Sequence, residues 1–299
     1  LAIKSLKLNF VKNIFSENEN SKMFETSLFG KKLENPIGIA AGFDKNAEVY
    51  NPLFKLGFGF VEVGTVTPKK QYGNPKPRVF RLVEDQALIN RLGFNNLGAK
   101  DISFRIRSNS PMGLLGINIG PNKDSKDRLN DYLIGLQNFY DIADYITVNI
   151  SSPNTKELRE LSNDKFLKDL LGNIKDKQNK LTESFEYVPI FIKISPDENL
   201  EDLENICKSI LQFEIDGIIA SNTTVIHNDK NGYGGLSGSP LKIKADEKLS
   251  FIKKIVGDEI SIIASGGVMS ASDYLEKIDA GADLVQIYTG FIFEGPKLI

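Results

Sequence analysis

The amino-acid sequence predicts an α/β protein, a (β/α)8 TIM barrel with a short N-terminal amphipathic helical segment. Eight short apolar runs rich in Val, Ile and Phe recur along the 299 residues, and continuous apolarity is typical of strands that are covered on both faces. Segments with helical patterns lie between most of these runs. Eight strands that alternate with helices over about 250 residues suit a (β/α)8 barrel.

The first predicted element is a basic amphipathic helix within residues 1–24. Its apolar residues recur at helical spacing and its early charged residues are all lysines: Ile3, Leu6, Phe10 and Ile14, with Lys4, Lys7 and Lys12. A helix of this kind either packs on the surface of the domain or lies at a membrane interface. The residues alone leave both interpretations open.

The barrel is predicted to occupy residues 25–299 as one domain, because no linker rich in Pro, Gly or Ser divides the chain after residue 35. The predicted strands are Pro36–Ala40, Phe60–Val63, Leu114–Ile119, Tyr145–Ile150, Ile190–Ile194, Gly217–Ala220, Ser261–Ala264 and Leu284–Ile287. The predicted helices are Asp101–Arg107, Asp131–Phe139, Asp164–Lys180, Asn199–Phe213, Ala245–Val256 and Ala271–Ala280. A doubly wound sheet is the alternative, but no G-x-G-x-x-G motif follows a strand.

Composition excludes several classes of function. The chain has 37 Lys and Arg against 39 Asp and Glu, a net charge of −2, which gives no bulk electrostatic reason to bind nucleic acid. One cysteine, Cys207, and one histidine, His227, exclude an internal disulfide, a cysteine zinc site and two-histidine metal motifs. We expect His227 to lie in a solvent-exposed loop and no metal to take part.

Polar residues or glycines lie near or directly after the carboxyl end of every predicted strand, where barrel enzymes carry their active sites. They are Ala41–Lys45, Gly64–Thr65, Asn118, Asn149, Lys193, Ser221–Thr223, Ser265–Gly267 and Tyr288–Gly290. The turns after the last two strands suit a bound phosphate, since glycine lets backbone N–H groups approach an anion closely. Lys45 and Lys193 are costly in a barrel mouth unless they meet negative charge. The sequence therefore predicts a phosphorylated ligand.

Several long motifs resemble dihydroorotate dehydrogenases of the quinone-linked, membrane-associated class (class 2). The resemblance covers residues 1 to 299 in order, and its motifs are Asn35-Pro-Ile-Gly-Ile-Ala-Ala-Gly-Phe-Asp-Lys45, Glu62-Val-Gly-Thr-Val-Thr-Pro68, Gly73-Asn-Pro-Lys-Pro-Arg78, Ile89-Asn-Arg-Leu-Gly-Phe-Asn-Asn96, Val148-Asn-Ile-Ser-Ser-Pro-Asn-Thr155 and Gly234-Gly-Leu-Ser-Gly238. It implies a barrel that binds FMN and oxidises dihydroorotate to orotate in pyrimidine synthesis.

The resemblance also implies which residues form the site. The FMN-binding positions are Ala40, Ala41, Gly42, Phe43, Asp44, Thr65, Asn118, Asn149, Lys193, Ser221, Gly238, Gly267, Tyr288 and Thr289. The substrate-binding positions are Lys45, Asn90, Arg91, Leu92, Gly93, Phe94, Asn149, Asn154, Asn222 and Thr223. Ser221 stands where many members of the family have Thr. The serine keeps the hydroxyl and lacks the methyl group of threonine. Amide side chains suit a cyclic diamide, because they donate and accept in one plane.

The expected catalytic base is Ser152, which occupies the position of a cysteine in the soluble class of the family. It would take the proton from C5 of dihydroorotate, with Thr155 as its relay and Phe94 as the wall that excludes water. A hydroxyl is a weak base and needs such help. Lys193 would stabilise negative charge on the reduced flavin. Cys207 cannot replace the serine, because it lies in a predicted helix away from the strand ends.

As partners, the resemblance implies ubiquinone or menaquinone and a membrane surface, with no nucleic acid. Residues 1–24 resemble the second of two helices that form a quinone tunnel on the membrane, and the residues after Thr289 are fewer than a closing helix needs. We therefore expect a monomer, truncated at both ends. Its expected location is the cytoplasmic face of a bacterial membrane, with the mitochondrial inner membrane second.

Three other interpretations remain open at this point. A dihydropyrimidine or dihydrouridine dehydrogenase would share the FMN barrel, although these enzymes typically have Cys as the base. A flavin-free isomerase or aldolase of sugar phosphates would explain the predicted phosphate site but not the Asn-rich pocket. A non-enzymatic binding module would need a broken site, whereas every motif position is present.

Overall fold

The computed structural model describes residues 26–151, 164–227 and 232–299, together with Ile3, Leu6 and Lys7. Its strands are β1 (Thr26–Leu28), β2 (Lys31–Leu33), β3 (Ile37–Ile39), β4 (Phe60–Val66), β5 (Val79–Leu82), β6 (Ala87–Asn90), β7 (Leu114–Ile119), β8 (Tyr145–Asn149), β9 (Ile190–Lys193), β10 (Gly217–Ala220), β11 (Gly235–Gly238), β12 (Ser261–Ser265) and β13 (Leu284–Ile287). Its helices are α1 (Tyr50–Lys55), α2 (Ala99–Arg107), α3 (Arg128–Phe139), α4 (Asp164–Thr182), α5 (Leu200–Gln212), α6 (Lys242–Val256), α7 (Ala271–Asp279) and α8 (Thr289–Glu294), with 3-10 turns at Ser239–Leu241 and Gly295–Leu298.

The predicted (β/α)8 barrel is confirmed. Eight parallel strands close on themselves in the order β3, β4, β7, β8, β9, β10, β12 and β13, and β13 pairs with β3. Each corresponds to a predicted apolar run. The doubly wound sheet is wrong, because that fold leaves two open edges and this sheet has none. The six predicted helices are present as α2 to α7, each with ends within three residues of the prediction.

A hairpin of β1 and β2 closes the bottom of the barrel, the end at which the strands begin. Leu28 and Leu33 of the hairpin are buried in one cluster with the innermost side chains of the barrel strands, including Phe60, Tyr145 and Phe191. This apolar plug keeps water out of the lower half of the interior. The buried polar side chains of Asn118, Asn149 and Lys193 lie nearer the barrel mouth, the end at which the strands finish.

A small antiparallel sheet, β5, β6 and β11, lies beside the barrel mouth. It pairs β11, from the segment between β10 and α6, with β6, from the segment between β4 and α2. The pairing places Asn90 and Gly235 opposite each other, and Gly238 opposite Ala87. Two distant loops thereby form one wall over the end of the barrel.

Three residues of the predicted N-terminal helix belong to the described part of the chain. Ile3 and Leu6 pack against the main core, and the Nζ of Lys7 lies 2.8 Å from a carboxylate oxygen of Glu48. Phe10, Ile14, Lys4 and Lys12 lie outside the described residues. None of the helices in the described ranges combines the length and the apolar character needed to cross a lipid bilayer.

Candidate active site

The barrel mouth holds a cavity that opens partly to solvent. Most of the residues selected from the sequence line it: Ala40, Ala41, Gly42, Lys45, Thr65, Asn90, Leu92, Gly93, Phe94, Asn149, Lys193, Ser221, Asn222, Thr223, Gly238, Gly267, Tyr288 and Thr289. They come from the ends of the barrel strands and from the wall formed by β6 and β11. The structure therefore brings together residues that are up to about 250 positions apart in the chain.

Four of the selected residues lie behind this cavity. Phe43 packs edge-on against Tyr288, with ring centroids 5.9 Å apart, and the carboxylate of Asp44 accepts backbone N–H groups of Glu48 and Val49 at 2.8 and 2.7 Å. Asn118 is fully buried below the mouth. The guanidinium of Arg91 lies 4.5 Å from the centre of the Phe80 ring. These side chains shape the wall instead of facing the space within it.

Three of the predicted residues, Ser152, Asn154 and Thr155, lie outside the described residues. Their neighbour Ser151 is described and buried, and its backbone N–H and hydroxyl donate to Oδ1 of Asn149 at 3.1 and 3.0 Å. The amide of Asn222 donates to the hydroxyl of Ser151 at 3.0 Å. The chain is thus held at the barrel mouth immediately before the predicted base.

Backbone close to the cavity wall requires glycine at two positions. Gly267 has φ +78°, and a Cβ there would lie 2.4 Å from the Cα of Lys242. Gly238 has φ +98°, and its Cβ would lie 2.2 Å from the carbonyl oxygen of Gln86. Both residues line the cavity. A side chain at either position would push the backbone apart, so the turns stay narrow enough to present N–H groups to an anion.

Two lysines supply positive charge to the cavity. Lys193 is only 5% exposed, and burial lowers the pKa of its amine, whereas the negative charge of Glu62 acts in the opposite direction. Burial lowers the pKa of Lys45 to about 8, and the positive charge of Arg78 adds to this effect. Such cations suit a site that receives an anionic ligand or develops negative charge.

The amides beneath the cavity are joined by hydrogen bonds. The hydroxyl of Thr65 donates to Oδ1 of Asn118 at 2.6 Å, and Nδ2 of Asn149 donates to the Thr65 hydroxyl at 3.1 Å. Nδ2 of Asn118 donates to the carboxylate of Glu62 at 2.8 Å. Because each side chain has a fixed partner, Thr65 and Asn149 present preorganised groups to the cavity.

Sequence reasoning missed two polar residues of the barrel interior, Glu62 and Gln286, which are both fully buried. Glu62 appeared only as a letter in a motif, and Gln286 only as a member of an apolar run. Their spacing could have revealed them. Glu62 follows Phe60 by two positions and Gln286 follows Leu284 by two positions, so each polar side chain lies on the same inward face of its strand as the apolar one. Gln286 lines the cavity, and Glu62 lies below it.

Cys207 and His227 lie apart from the cavity lining. Cys207 is buried in α5, and burial raises the pKa of its thiol to about 12, with a further contribution from Glu204. His227 lies in a loop as expected, but the expectation of solvent exposure is wrong: it is partly buried and its Nε2 lies 2.9 Å from the carbonyl oxygen of Gly234. Within the described ranges, no three His, Cys, Asp or Glu side chains are placed to hold a metal ion.

Comparisons with known proteins identify the family of the chain. Residues 23–299 match the family model described as dihydroorotate dehydrogenase. The dihydroorotate dehydrogenase (quinone) of Bartonella tribocorum is 48% identical over 285 residues, which are 93% of this chain and 79% of that protein. The protein of the same name from Aliivibrio fischeri is 45% identical over 294 residues, 95% of this chain and 87% of that protein.

Solved structures give the same result. The crystal structure of Eimeria tenella DHODH in complex with ferulenol superposes with a TM-score of 0.92 at 35% sequence identity, and the match covers 99% of this chain and 87% of that chain. The ligand-free structure from the same organism gives a TM-score of 0.91 at 36% identity, with 99% and 90% covered. Sequence, fold and site together show that the chain belongs to the dihydroorotate dehydrogenase family.

Proposed function

We propose that the chain oxidises dihydroorotate to orotate in pyrimidine synthesis, with FMN as the hydride acceptor and a quinone as the final electron acceptor. The observation that carries the proposal is the composition of the barrel-mouth cavity. It combines narrow glycine turns, a buried cation and several amide side chains. Relatives that match nearly the full length of this chain are named dihydroorotate dehydrogenase (quinone). Their name supports both the proposed reaction and the proposed electron acceptor.

The described residues fit FMN. The turns at Gly238 and Gly267 suit its phosphate, and Lys193 suits the part of the ring that becomes negative on reduction. Oε1 of Gln286 and Oγ1 of Thr223 are buried oxygens for which the described part of the chain provides no hydrogen-bond donor. Both residues line the cavity, so a polar ligand there would satisfy groups that are otherwise costly to bury.

FMN supplies the hydride acceptor when it is bound. The remaining tasks fall to the chain. Lys45 binds the carboxylate of dihydroorotate, and the amides of Asn90, Asn149 and Asn222 bind its ring. Ser152 takes the proton from C5, Thr155 relays it, and Phe94 excludes water from the reacting atoms. Phe94 is 8% exposed and lines the cavity, as this role requires.

The proposal also covers the quinone, the contact with a membrane and the location of the protein. We infer that residues 1–24 contact a membrane surface near the quinone, on the cytoplasmic face of a bacterial membrane, with the mitochondrial inner membrane as the second location. Ubiquinone and menaquinone are both candidates. The protein is proposed to act as a monomer.

Visible spectroscopy tests the reaction. The purified chain, supplied with FMN, is expected to show the yellow flavin spectrum and to bleach when dihydroorotate is added without oxygen. Dihydrouracil in place of dihydroorotate is the comparison, because faster bleaching with dihydrouracil would identify a dihydropyrimidine-type oxidoreductase instead. A folded protein that binds no flavin would contradict the proposal.

Gly267→Ala is expected to weaken FMN binding at least about tenfold, because the new Cβ would push the turn away from Lys242 and misplace its N–H groups. Titration of FMN fluorescence measures this. Gly257→Ala is the matched control: its φ is also positive, +53°, but nothing lies within 4 Å of the added Cβ. Equal FMN affinities for the two variants would show that the turn at Gly267 does not bind the cofactor.

Lys45 is expected to make substrate capture depend on pH. Its pKa of about 8 means that the amine is charged below that pH and neutral above it, so kcat/KM for dihydroorotate falls as pH rises through 8. Lys45→Met should lower kcat/KM about 10- to 100-fold at pH 7 and remove this alkaline decline. Lys100→Met, on the exposed surface of α2, is the control and keeps the parental profile. An unchanged decline in Lys45→Met would assign it to another group.

A further inference from the structure

The upper half of the barrel interior contains a buried carboxylate to which the proposed reaction assigns no task. Glu62 lies on β4 with none of its surface exposed. Four side chains from three other strands donate to its two oxygens: Asn118 at 2.8 Å, Tyr145 at 2.9 Å, Thr147 at 3.1 Å and Gln286 at 2.7 Å. A buried carboxylate is costly, and it persists where donors and opposite charge compensate it.

This carboxylate sets the direction of the hydrogen bonds above it. A carboxylate only accepts, so Asn118 must turn its Nδ2 down to Glu62 and its Oδ1 up to Thr65 and Asn149. Asn149 then donates downwards through its Nδ2 and keeps its Oδ1 for Ser151. One negative charge below the cavity thereby fixes the direction of every hydrogen bond between these side chains.

The charge of the same carboxylate also acts on the cation of the site. Among the described residues, the charged or titratable groups that interact with Glu62 are Lys193 on β9 and Tyr145 on β8. Burial disfavours the charged form of Lys193, and Glu62 is the group that opposes this effect. Tyr145 adds no positive charge, since burial and Glu62 both raise the pKa of its hydroxyl well above the ordinary value. The negative charge of Glu62 therefore favours the protonated form of Lys193.

We propose that Glu62 is a positioning residue. It fixes the amide of Asn118, which in turn orients Thr65 and Asn149 at the cavity, and it balances the charge of Lys193. The proposal rests on the proposed function in that Thr65, Asn149 and Lys193 are taken to contact FMN. Its physical basis is independent of the reaction. It consists of one buried acceptor, four converging donors and one buried cation.

Glu62→Gln tests the proposal, because it keeps the shape and replaces an acceptor by a donor. Nδ2 of Asn118 would then face the side-chain nitrogen of the new glutamine. Because two donors cannot form a hydrogen bond, the amide of Asn118 is expected to rotate so that its Oδ1 faces the glutamine. Two results should follow: FMN binds about tenfold more weakly, and Lys193 loses its proton at lower pH than in the parent protein. Fluorescence titration measures the first, and NMR of 13C-lysine-labelled protein measures the second. Lys193→Met identifies the Lys193 signal by its absence.

Tyr145→Phe is the matched control. It removes one donor to Glu62 but leaves the charge and the contact with Asn118 in place. Parental FMN affinity and a parental Lys193 titration are expected. If Glu62→Gln also leaves both quantities at their parental values, the proposal is wrong. The Lys193 titration requires neither FMN nor dihydroorotate, so its outcome is independent of whether the protein oxidises dihydroorotate.

If the Glu62→Gln variant fails to fold, a second variant tests the proposal. In the double substitution Glu62→Gln with Lys193→Met, neither buried charge remains. If Glu62 balances Lys193, the double variant recovers folding that the single variant lost, because the uncompensated cation has gone. A double variant that folds no better than Glu62→Gln would contradict the proposed compensation.

Discussion

Ser152→Ala is expected to slow the reduction of bound flavin by dihydroorotate about 10²- to 10⁴-fold while leaving FMN bound. The serine hydroxyl is the proposed acceptor of the C5 proton, and alanine offers no atom that could take it. Apart from Asn149, the groups proposed to hold FMN lie on other strand ends, so the yellow colour should persist. Anaerobic stopped-flow spectroscopy measures the rate of bleaching in a single turnover, which separates proton removal from later quinone reduction.

Cys207→Ala is the control for this experiment, because a cysteine is the alternative base in the family. Cys207 is buried in α5 and the pKa of its thiol is about 12, so it supplies no base at neutral pH. Parental bleaching is expected for Cys207→Ala. Parental bleaching of Ser152→Ala would instead end the assignment of Ser152 as the base.

Thr155 is the proposed relay for the proton that Ser152 takes from C5 of dihydroorotate. A Thr155→Ala variant keeps the proposed base and removes only its relay, so it should slow bleaching less than Ser152→Ala.

The barrel could be predicted from the sequence because its strands are buried on both faces. Each barrel strand is then a continuous apolar run, which is visible without any knowledge of its partners. The β1–β2 hairpin was not predicted, because each of its strands has only three residues. Two of the three residues of β2 are lysines, so the strand shows no apolar run. Its burial depends on Leu28 and Leu33 reaching the barrel interior, a tertiary contact that local patterns do not contain.

Much of the candidate site could be predicted for a related reason. Parallel strands bring their carboxyl ends to one rim, so Lys45, Asn149 and Lys193 could be grouped before their contacts were known. Glu62 could not be interpreted in this way, since its role depends on donors from three other strands. The wall formed by β6 and β11 was also missed, because a pairing between residues about 145 positions apart leaves no local signal.

Lys193→Met is expected to slow flavin reduction about 10²- to 10³-fold and to weaken FMN binding. Lys193 ends β9 with 5% of its surface exposed, and it lines the cavity. A buried cation has little water around it, so its field acts at nearly full strength on charge that develops beside it. Methionine has a similar length and fills the same space without that charge. The rate of anaerobic bleaching at saturating FMN measures the effect.

Lys277→Met is the control for Lys193→Met. It removes a buried lysine that lies away from the cavity, and so separates the loss of charge at the site from the loss of any buried lysine. Lys277 has no exposed surface, and its Nζ lies 2.5 Å from a carboxylate oxygen of Asp246, on helices outside the barrel. Its substitution should lower stability and leave FMN affinity and the bleaching rate unchanged. If Lys193→Met, once saturated with FMN, bleaches at the parental rate, then Lys193 contributes only to binding. Its charge would then act equally on the oxidised and the reduced cofactor.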